Sequence, residues 1–312
     1  MCIIQNMKKV SVIVPCFNEQ ETIDLFYNTI KSFWKESFTE HELELVFVDD
    51  GSKDSTYEKI LSLSKNDASV RYGSFSRNFG KEAAMFAGLD LCSGDCAVVI
   101  DADLQHPVET IKEMVEKWDE GFEVVEGIKS SRGKEARSHG LFARLFYRII
   151  SSLVGFDMQN SSDFKLIDRK VIDVLKTFTE KDTFFRALTF WAGFKSTSVE
   201  YEVKERATGV SKWSGISLIK YAMRNILAFT YTPLYLIAFL GITVIIIGVI
   251  LGIDAIVTYF KGNAVGGYPS LVILITLSTG AILLSLGIIS VYMSKMFNEV
   301  KNRPRYIFRD HN

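Results

Sequence analysis

Over the first 130 residues, short β-branched runs alternate with amphipathic stretches. Residues 10–15, 43–48, 70–74, 96–100 and 122–127 read as buried strands, being rich in Val, Ile and Phe and bounded by turn residues. Between them, residues 19–35, the segment running to Lys65, residues 80–91 and residues 107–118 carry helical spacing of apolar positions. Asp54-Ser55-Thr56 offers capping side chains for the second of these helices. Strands alternating with helices at this interval predict an α/β domain with a mainly parallel sheet covered on both faces. In such sheets ligands bind beyond the carboxyl ends of the strands.

Beyond Ser130 the pattern changes. Residues 141–154 and 216–229 are apolar stripes interrupted by Arg144, Arg148, Lys220 and Arg224. Such basic amphipathic helices either lie in a membrane interface or pack on the sheet, and the interface is the expectation here. Residues 225–253 and 262–294 contain no charged side chain. About 20 apolar residues cross a bilayer as a helix, so spans are expected near 233–253 and 270–293, in preference to a buried soluble hairpin. Lys212, Lys220 and Arg224 precede the pair, and Lys295, Lys301, Arg303, Arg305 and Arg309 follow it. This bias predicts a multi-pass plasma or inner membrane protein with both termini in the cytoplasm and a short external loop. The expected organisation is a cytoplasmic domain over 1–213, with an interfacial helix at about 139–155. A juxtamembrane helix at 214–229 follows, then two spans and a basic cytoplasmic tail over 230–312.

Composition agrees with that division. A mean hydropathy of +0.15 in a chain with 23% charged residues means that the apolar residues are concentrated in one region. The net charge of -1 provides no global basic field for nucleic acid. Cys2, Cys16, Cys92 and Cys96 lack the spacing and histidine company of a zinc site and read as small core residues in a reducing compartment.

Three predicted strands end in polar clusters: Asn18-Glu19 after the first, Asp49-Asp50 after the second, and Asp101-Ala102-Asp103 after the fourth. They should converge on one rim. Two carboxylates one residue apart suit a hard divalent cation such as Mg²⁺, which keeps positions for substrate phosphates. Gln105 could add a carbonyl oxygen. The same residues also make a solvated, helix-capping turn, and Asp49-Asp50-Gly51-Ser52 is good type I turn chemistry.

In this order, VSVIVPCFNEQETI, VFVDDGSKDST, SFSRNFGKEAAMFAGL and VVIDADLQHPVE resemble the signature blocks of glycosyltransferase family two. With SSDFKLIDR and ERATGVSKWS they resemble its polyprenyl-phosphate subgroup, which includes bactoprenol glucosyltransferases and dolichyl-phosphate mannose synthases. The two C-terminal helices resemble the bactoprenol branch. The resemblance implies a GT-A fold and a metal-dependent (Mg²⁺ or Mn²⁺), inverting transfer of a sugar from a nucleotide sugar to a polyprenyl phosphate. UDP-glucose and undecaprenyl phosphate are the expected pair, with UDP-N-acetylglucosamine, UDP-galactose and GDP-mannose as other donors. The product, a lipid-phosphate-linked sugar, would serve cell-envelope glycan modification.

By the same resemblance Pro15, Phe17, Asn18 and Glu19 hold the nucleotide, Asp49 reads its base and Asp50 supports the loop. Arg77 and Lys81 approach the nucleotide. Asp101, Asp103 and Gln105 form the metal and diphosphate site, with Asp103 also counted as catalytic. Asp163 resembles the catalytic aspartate beside sugar and acceptor, its alternative being a core-supporting carboxylate. Arg206 and Lys212 resemble cations for donor diphosphate and lipid phosphate, and Arg132 one for lipid phosphate or an ordinary loop charge. Relatives of this shape suggest a homo-oligomer. A processive polysaccharide synthase is disfavoured because no Gln-x-x-Arg-Trp motif is present. The intact acidic motifs argue against a non-catalytic sugar-binding membrane protein.

Overall fold

The expected strands of the first half form, and three more join them. The computed structural model describes residues 7–129, 162–180, 184–202, 232–261 and 268–312. The strands are β1 (Lys8–Cys16), β2 (His41–Asp49), β3 (Val70–Phe75), β4 (Cys96–Val99), β5 (Val124–Lys129), β6 (Lys165–Asp168), β7 (Ser196–Tyr201) and β8 (Phe308–His311). They make one sheet in the order β7-β5-β6-β4-β1-β2-β3-β8. The centre is parallel: β1 pairs with β2 and β4, and β2 with β3. At one side β6 runs antiparallel to both β4 and β5. Val10, Val12, Ile13 and Val14 are fully buried, as a strand covered on both faces requires.

Among the described residues six helices belong to this unit: α1 (Ile23–Ser37), α2 (Thr56–Asn66), α3 (Lys81–Leu91), α4 (Thr110–Asp119), α5 (Arg169–Thr177) and α6 (Phe185–Trp191). α1 buries Ile23, Phe26, Ile30 and Trp34, spaced three and four apart along one stripe. Just before α2, Asp54 Oδ1 accepts from Thr56 N at 3.1 Å and Thr56 Oγ1 at 2.6 Å. α3 is buried along most of its length. It reaches the sheet through Gly88, where an added Cβ would stand 2.2 Å from Ile13 Cγ2.

The chain divides into two compact units, residues 1–213 with 304–312, and residues 214–303. The last residues of the expected basic tail are part of the sheet. β8 pairs antiparallel with β3, setting Gly73 opposite His311 and Ser74 opposite Asp310. Asp310 Oδ2 accepts from Tyr57 Oη at 2.6 Å and Tyr72 Oη at 2.9 Å, and these two bonds hold its carboxyl below the usual range. Tyr306 stacks on Phe75 with ring centroids 5.0 Å apart. The physical reason is the bare edge of β3, whose unpaired backbone groups need a partner.

The second unit contains α7 (Thr232–Phe260) and α8 (Tyr268–Val300). Among the described residues one segment, Leu277–Val300, is long and apolar enough to cross a membrane. Among the described residues of α7 the apolar stretch is Phe239–Ile250. Leu277–Val300 overlaps the expected span at 270–293. α8 has 33 residues, about 50 Å at 1.5 Å per residue, which exceeds a hydrocarbon core of about 30 Å. The amphipathic helices expected at 139–155 and 214–229 lie outside the described residues.

Gly88→Ala drives a methyl group into Ile13 and should cost about 1–3 kcal/mol by overpacking. The loss should appear as a lower thermal midpoint of the purified protein.

Candidate active site

Strand register alone aligns the acidic clusters. Cys16 lies opposite Asp49, so β1 and β2 end level, and Ile13 lies opposite Val99, so β4 ends three residues earlier and the same register carries Asp101 and Ala102 up to Pro15 and Cys16. β6 runs the other way, with Val99 opposite Lys165. Continuing that register two residues past β4 sets Asp101 opposite Asp163. Both therefore emerge at the same rim.

Three loops are tied together above it. Asn18 adopts the left-handed region, φ 55°, and its N–H donates to Ser52 Oγ at 2.9 Å. Its own Oδ1 accepts from Lys53 N at 2.9 Å. Glu19 N donates to Thr56 Oγ1 at 2.8 Å. Gly51, φ 66°, lies against the loop after β3, where a Cβ would come within 2.5 Å of the Arg77 carbonyl carbon.

The loops enclose a cavity of about 390 Å³, within the size range of small-molecule sites. Its lining includes Pro15, Phe17 and Glu19 from the end of β1 and the loop after it, Asp50 from the second loop, and Lys81, Asp101 and Asp103. Asn78 and Gly80 complete the lining together with Cys16, Ala84 and Ala102. Asn18, Asp49, Arg77, Gln105 and Asp163 are not part of that lining. Asp49 is buried, with Oδ1 accepting from Ser52 N at 3.0 Å and Oδ2 from Ser74 Oγ at 2.7 Å. Arg77 is exposed and lays its guanidinium 4.0 Å over the Phe79 ring. Gln105 N donates to Asp103 Oδ1 at 3.1 Å, closing the turn. Arg132, Arg206 and Lys212 lie outside the described residues.

Asp50 Oδ1 accepts from Phe79 N at 2.6 Å, and Gly80 N donates to Oδ2 at 2.9 Å. Burial outweighs these bonds and raises its pKa to about 6, with the neighbouring Asp49 adding to the rise.

The charges facing the rim are paired. Lys81 Nζ lies 2.6 Å from Asp101 Oδ1 and 3.1 Å from Asp163 Oδ2. Burial alone would lower the Lys81 pKa, but the two carboxylates overcome it and raise the value. Arg186, on α6, reaches Asp163 with Nε to Oδ1 at 2.7 Å and Nη2 to Oδ2 at 3.1 Å. Burial opposes ionisation of Asp163, yet Lys81 and Arg186 win and hold it well below the usual carboxylate range. Behind it, fully buried Lys165 joins Glu126 Oε1 at 2.6 Å and Thr189 Oγ1 at 2.9 Å. His106, beside the acidic turn, packs on Phe164 and Tyr201 with centroids at 4.9 and 5.4 Å. Burial lowers its pKa.

Arg186 was not expected from the sequence. The available signal for Arg186 was a single cation inside the apolar run Phe184, Phe185, Ala187, Leu188. A charge buried in such a helix needs a partner.

Among the described residues no three His, Cys, Asp or Glu side chains gather as a self-sufficient metal site. The chain supplies the pair Asp101 and Asp103, both on the cavity wall. That set fits a Mg²⁺-like cation, which takes one or two carboxylates and completes its shell with substrate phosphate and water.

A mainly parallel sheet with acidic strand ends around one cavity is the GT-A arrangement of an α/β glycosyltransferase. The chain belongs to glycosyl transferase family 2, whose model matches residues 11–175. It is 38% identical over 303 residues to the SfII prophage-derived bactoprenol glucosyl transferase of Shigella flexneri, covering 96% of this chain and 97% of the relative. A prophage bactoprenol glucosyl transferase homolog of Escherichia coli is also 38% identical, over 96% of this chain and 98% of the relative. Among solved structures, mannosyl-3-phosphoglycerate synthase from Rubrobacter xylanophilus aligns at 19% identity over 71% of this chain and 73% of its own, with a TM-score of 0.49.

The sign of the Asp50 shift gives a pH prediction. Its pKa is higher folded (about 6) than at the ordinary value of 3.8, so the folded protein binds the proton more tightly. Stability from this group is present below about pH 4 and lost as pH rises through 6. The thermal midpoint of the wild type minus that of Asp50→Asn should therefore fall between pH 4 and 7 and level off above it.

Proposed function

We propose that this enzyme transfers glucose from UDP-glucose to undecaprenyl phosphate on the cytoplasmic face of the membrane. The observation that carries the reading is the Lys81–Asp101–Asp163 cluster beside the cavity. It accompanies near full-length similarity to proteins described as bactoprenol glucosyl transferases. Pro15, Phe17, Asn18, Glu19, Asp49 and Asp50 form the nucleotide end of the site, with Arg77 and Lys81 near it. Arg132, Arg206 and Lys212 serve the phosphates.

A phosphate monoester has a second pKa near 6 and is already largely a dianion at neutral pH. Its oxygen attacks the anomeric carbon while the bond from that carbon to the diphosphate oxygen breaks. The bonding pair leaves with UDP and the configuration inverts. No proton has to be removed, which suits an Asp163 held ionised by Lys81 and Arg186. Its carboxylate accepts hydrogen bonds from the sugar and does not act as a base. Held by Asp101 and Asp103, Mg²⁺ or Mn²⁺ supplies positive charge for the diphosphate. Lys81 adds a fixed cation, offsetting the repulsion between two anionic substrates.

Parity supports a two-crossing arrangement. The chain leaves the catalytic unit after Trp213, and β8 returns to the same sheet. Both ends of the intervening segment are therefore on one side of the bilayer, and its crossings are even in number. If Leu277–Val300 crosses, α7 makes the return crossing, leaving residues 262–267 outside.

Three measurements test this reading. With labelled UDP-glucose and undecaprenyl phosphate, the wild type should give one glucose per lipid. Asp103→Asn should reduce transfer at least about 100-fold, and undiminished, still metal-dependent transfer would falsify the metal assignment. Polymer, or turnover only with another nucleotide sugar, would reject the stated product or donor. For topology, Asn263→Cys in whole cells should react with a membrane-impermeant maleimide; labelling only after permeabilisation contradicts two crossings.

A further inference from the structure

α6 is fixed in place without its arginine. Phe185 N donates to Glu82 Oε2 at 2.8 Å, and the Phe185 ring meets Phe86 edge-on at 6.1 Å. Thr189 Oγ1 accepts from Lys165 Nζ at 2.9 Å. Phe185, Ala187, Leu188 and Thr189 are all buried. Anchored at both ends in this way, the helix presents Arg186 to the start of β6.

There Arg186 makes two parallel contacts to one carboxylate, Nε to Oδ1 at 2.7 Å and Nη2 to Oδ2 at 3.1 Å. Such a fork sets the plane of the acceptor as well as its charge. Lys81, the other cation on Asp163, touches Oδ2 alone at 3.1 Å. A point charge on one oxygen leaves the carboxylate free to turn about its last torsion, and the guanidinium removes that freedom. Each carboxylate oxygen can accept two hydrogen bonds, so Oδ1 retains capacity beyond its bond from Arg186 Nε.

We infer that Arg186 is a positioning residue for glycosyl transfer: its fork fixes the Asp163 carboxylate so that the free acceptor position of Oδ1 faces the sugar being transferred. The inference rests on the reading of Asp163 as the sugar-facing carboxylate. Arg186 itself touches neither substrate in this scheme and acts through Asp163. Lysine in its place keeps the charge and loses the fork, so geometry and charge are separable.

The test is a double-mutant cycle on the full-length enzyme in detergent, with Arg186→Gln, Arg186→Lys, Asp163→Asn and the two doubles. Transfer from UDP-glucose to undecaprenyl phosphate is measured beside thermal midpoints. Arg186→Gln should lower kcat about 100-fold, the effect of a small misplacement of a reacting group. The donor KM should stay within about threefold, because transition-state interactions are lost and uniform binding is kept. Arg186→Lys should recover only part of that loss, about 10-fold. Each double variant should be no slower than Asp163→Asn alone, as a residue acting through that carboxylate requires. If the glutamine variant fails to accumulate, the cycle with lysine decides. Additive losses in the doubles, full turnover in Arg186→Gln, or full rescue by lysine each overturn the role of Arg186 and leave Asp163 in place. Full turnover in Asp163→Asn overturns the underlying reading, and the positioning role falls with it.

Discussion

Electrostatic repulsion on one sheet rim is the constraint from which the site is built. Asp50, Asp101, Asp103 and Asp163 all emerge where neighbouring strands end, and like charges at such range oppose ionisation. The structure resolves this by position. Asp50 is turned toward the N–H groups of Phe79 and Gly80, and burial raises its affinity for a proton in spite of them, with Asp49 adding to the rise. Asp163 has two cations on it and stays charged. Asp101 shares Lys81 with Asp163. Environment, and not residue type, separates the roles of chemically identical side chains.

The cations arrive on helices whose positions are set elsewhere. Lys81 opens α3, which packs against β1 through Gly88. Arg186 sits on α6, which is held by Glu82 of α3 and Lys165 of β6. The fully buried Lys165 would be costly without Glu126 and Thr189 as partners. A layer of paired charge thus lies directly behind the cavity, and its geometry is transmitted by helix packing. This arrangement keeps the charged groups in fixed orientation before any substrate arrives, the condition under which electrostatic stabilisation is most effective.

Much of the fold was legible because its signal is local. Strands β1 to β5 are apolar runs between turn residues, and their ends carried the acidic clusters that the register brings together. The missed strands have no such signature. β6 is four residues long and contains a lysine, and β8 reads Phe-Arg-Asp-His, with no apolar run at all. Their pairing depends on partners far away in sequence: β6 on β4, and β8 on β3. For the same reason Asp163 was found by its motif, whereas its clamp at Arg186 was not. Asp101 and Asp103 announced themselves by spacing. The contact between Lys81 and Asp163 spans 82 positions, and no periodicity encodes it.

The antiparallel edge strand has a consequence for biogenesis. Translation runs from the N-terminus, so β8 leaves the ribosome only after both long apolar helices have been made. Until then β3 presents an unpaired edge, and Tyr57 and Tyr72 lack Asp310. Completion of the sheet is therefore scheduled last, and a chain that stops before Phe308 lacks its closing strand.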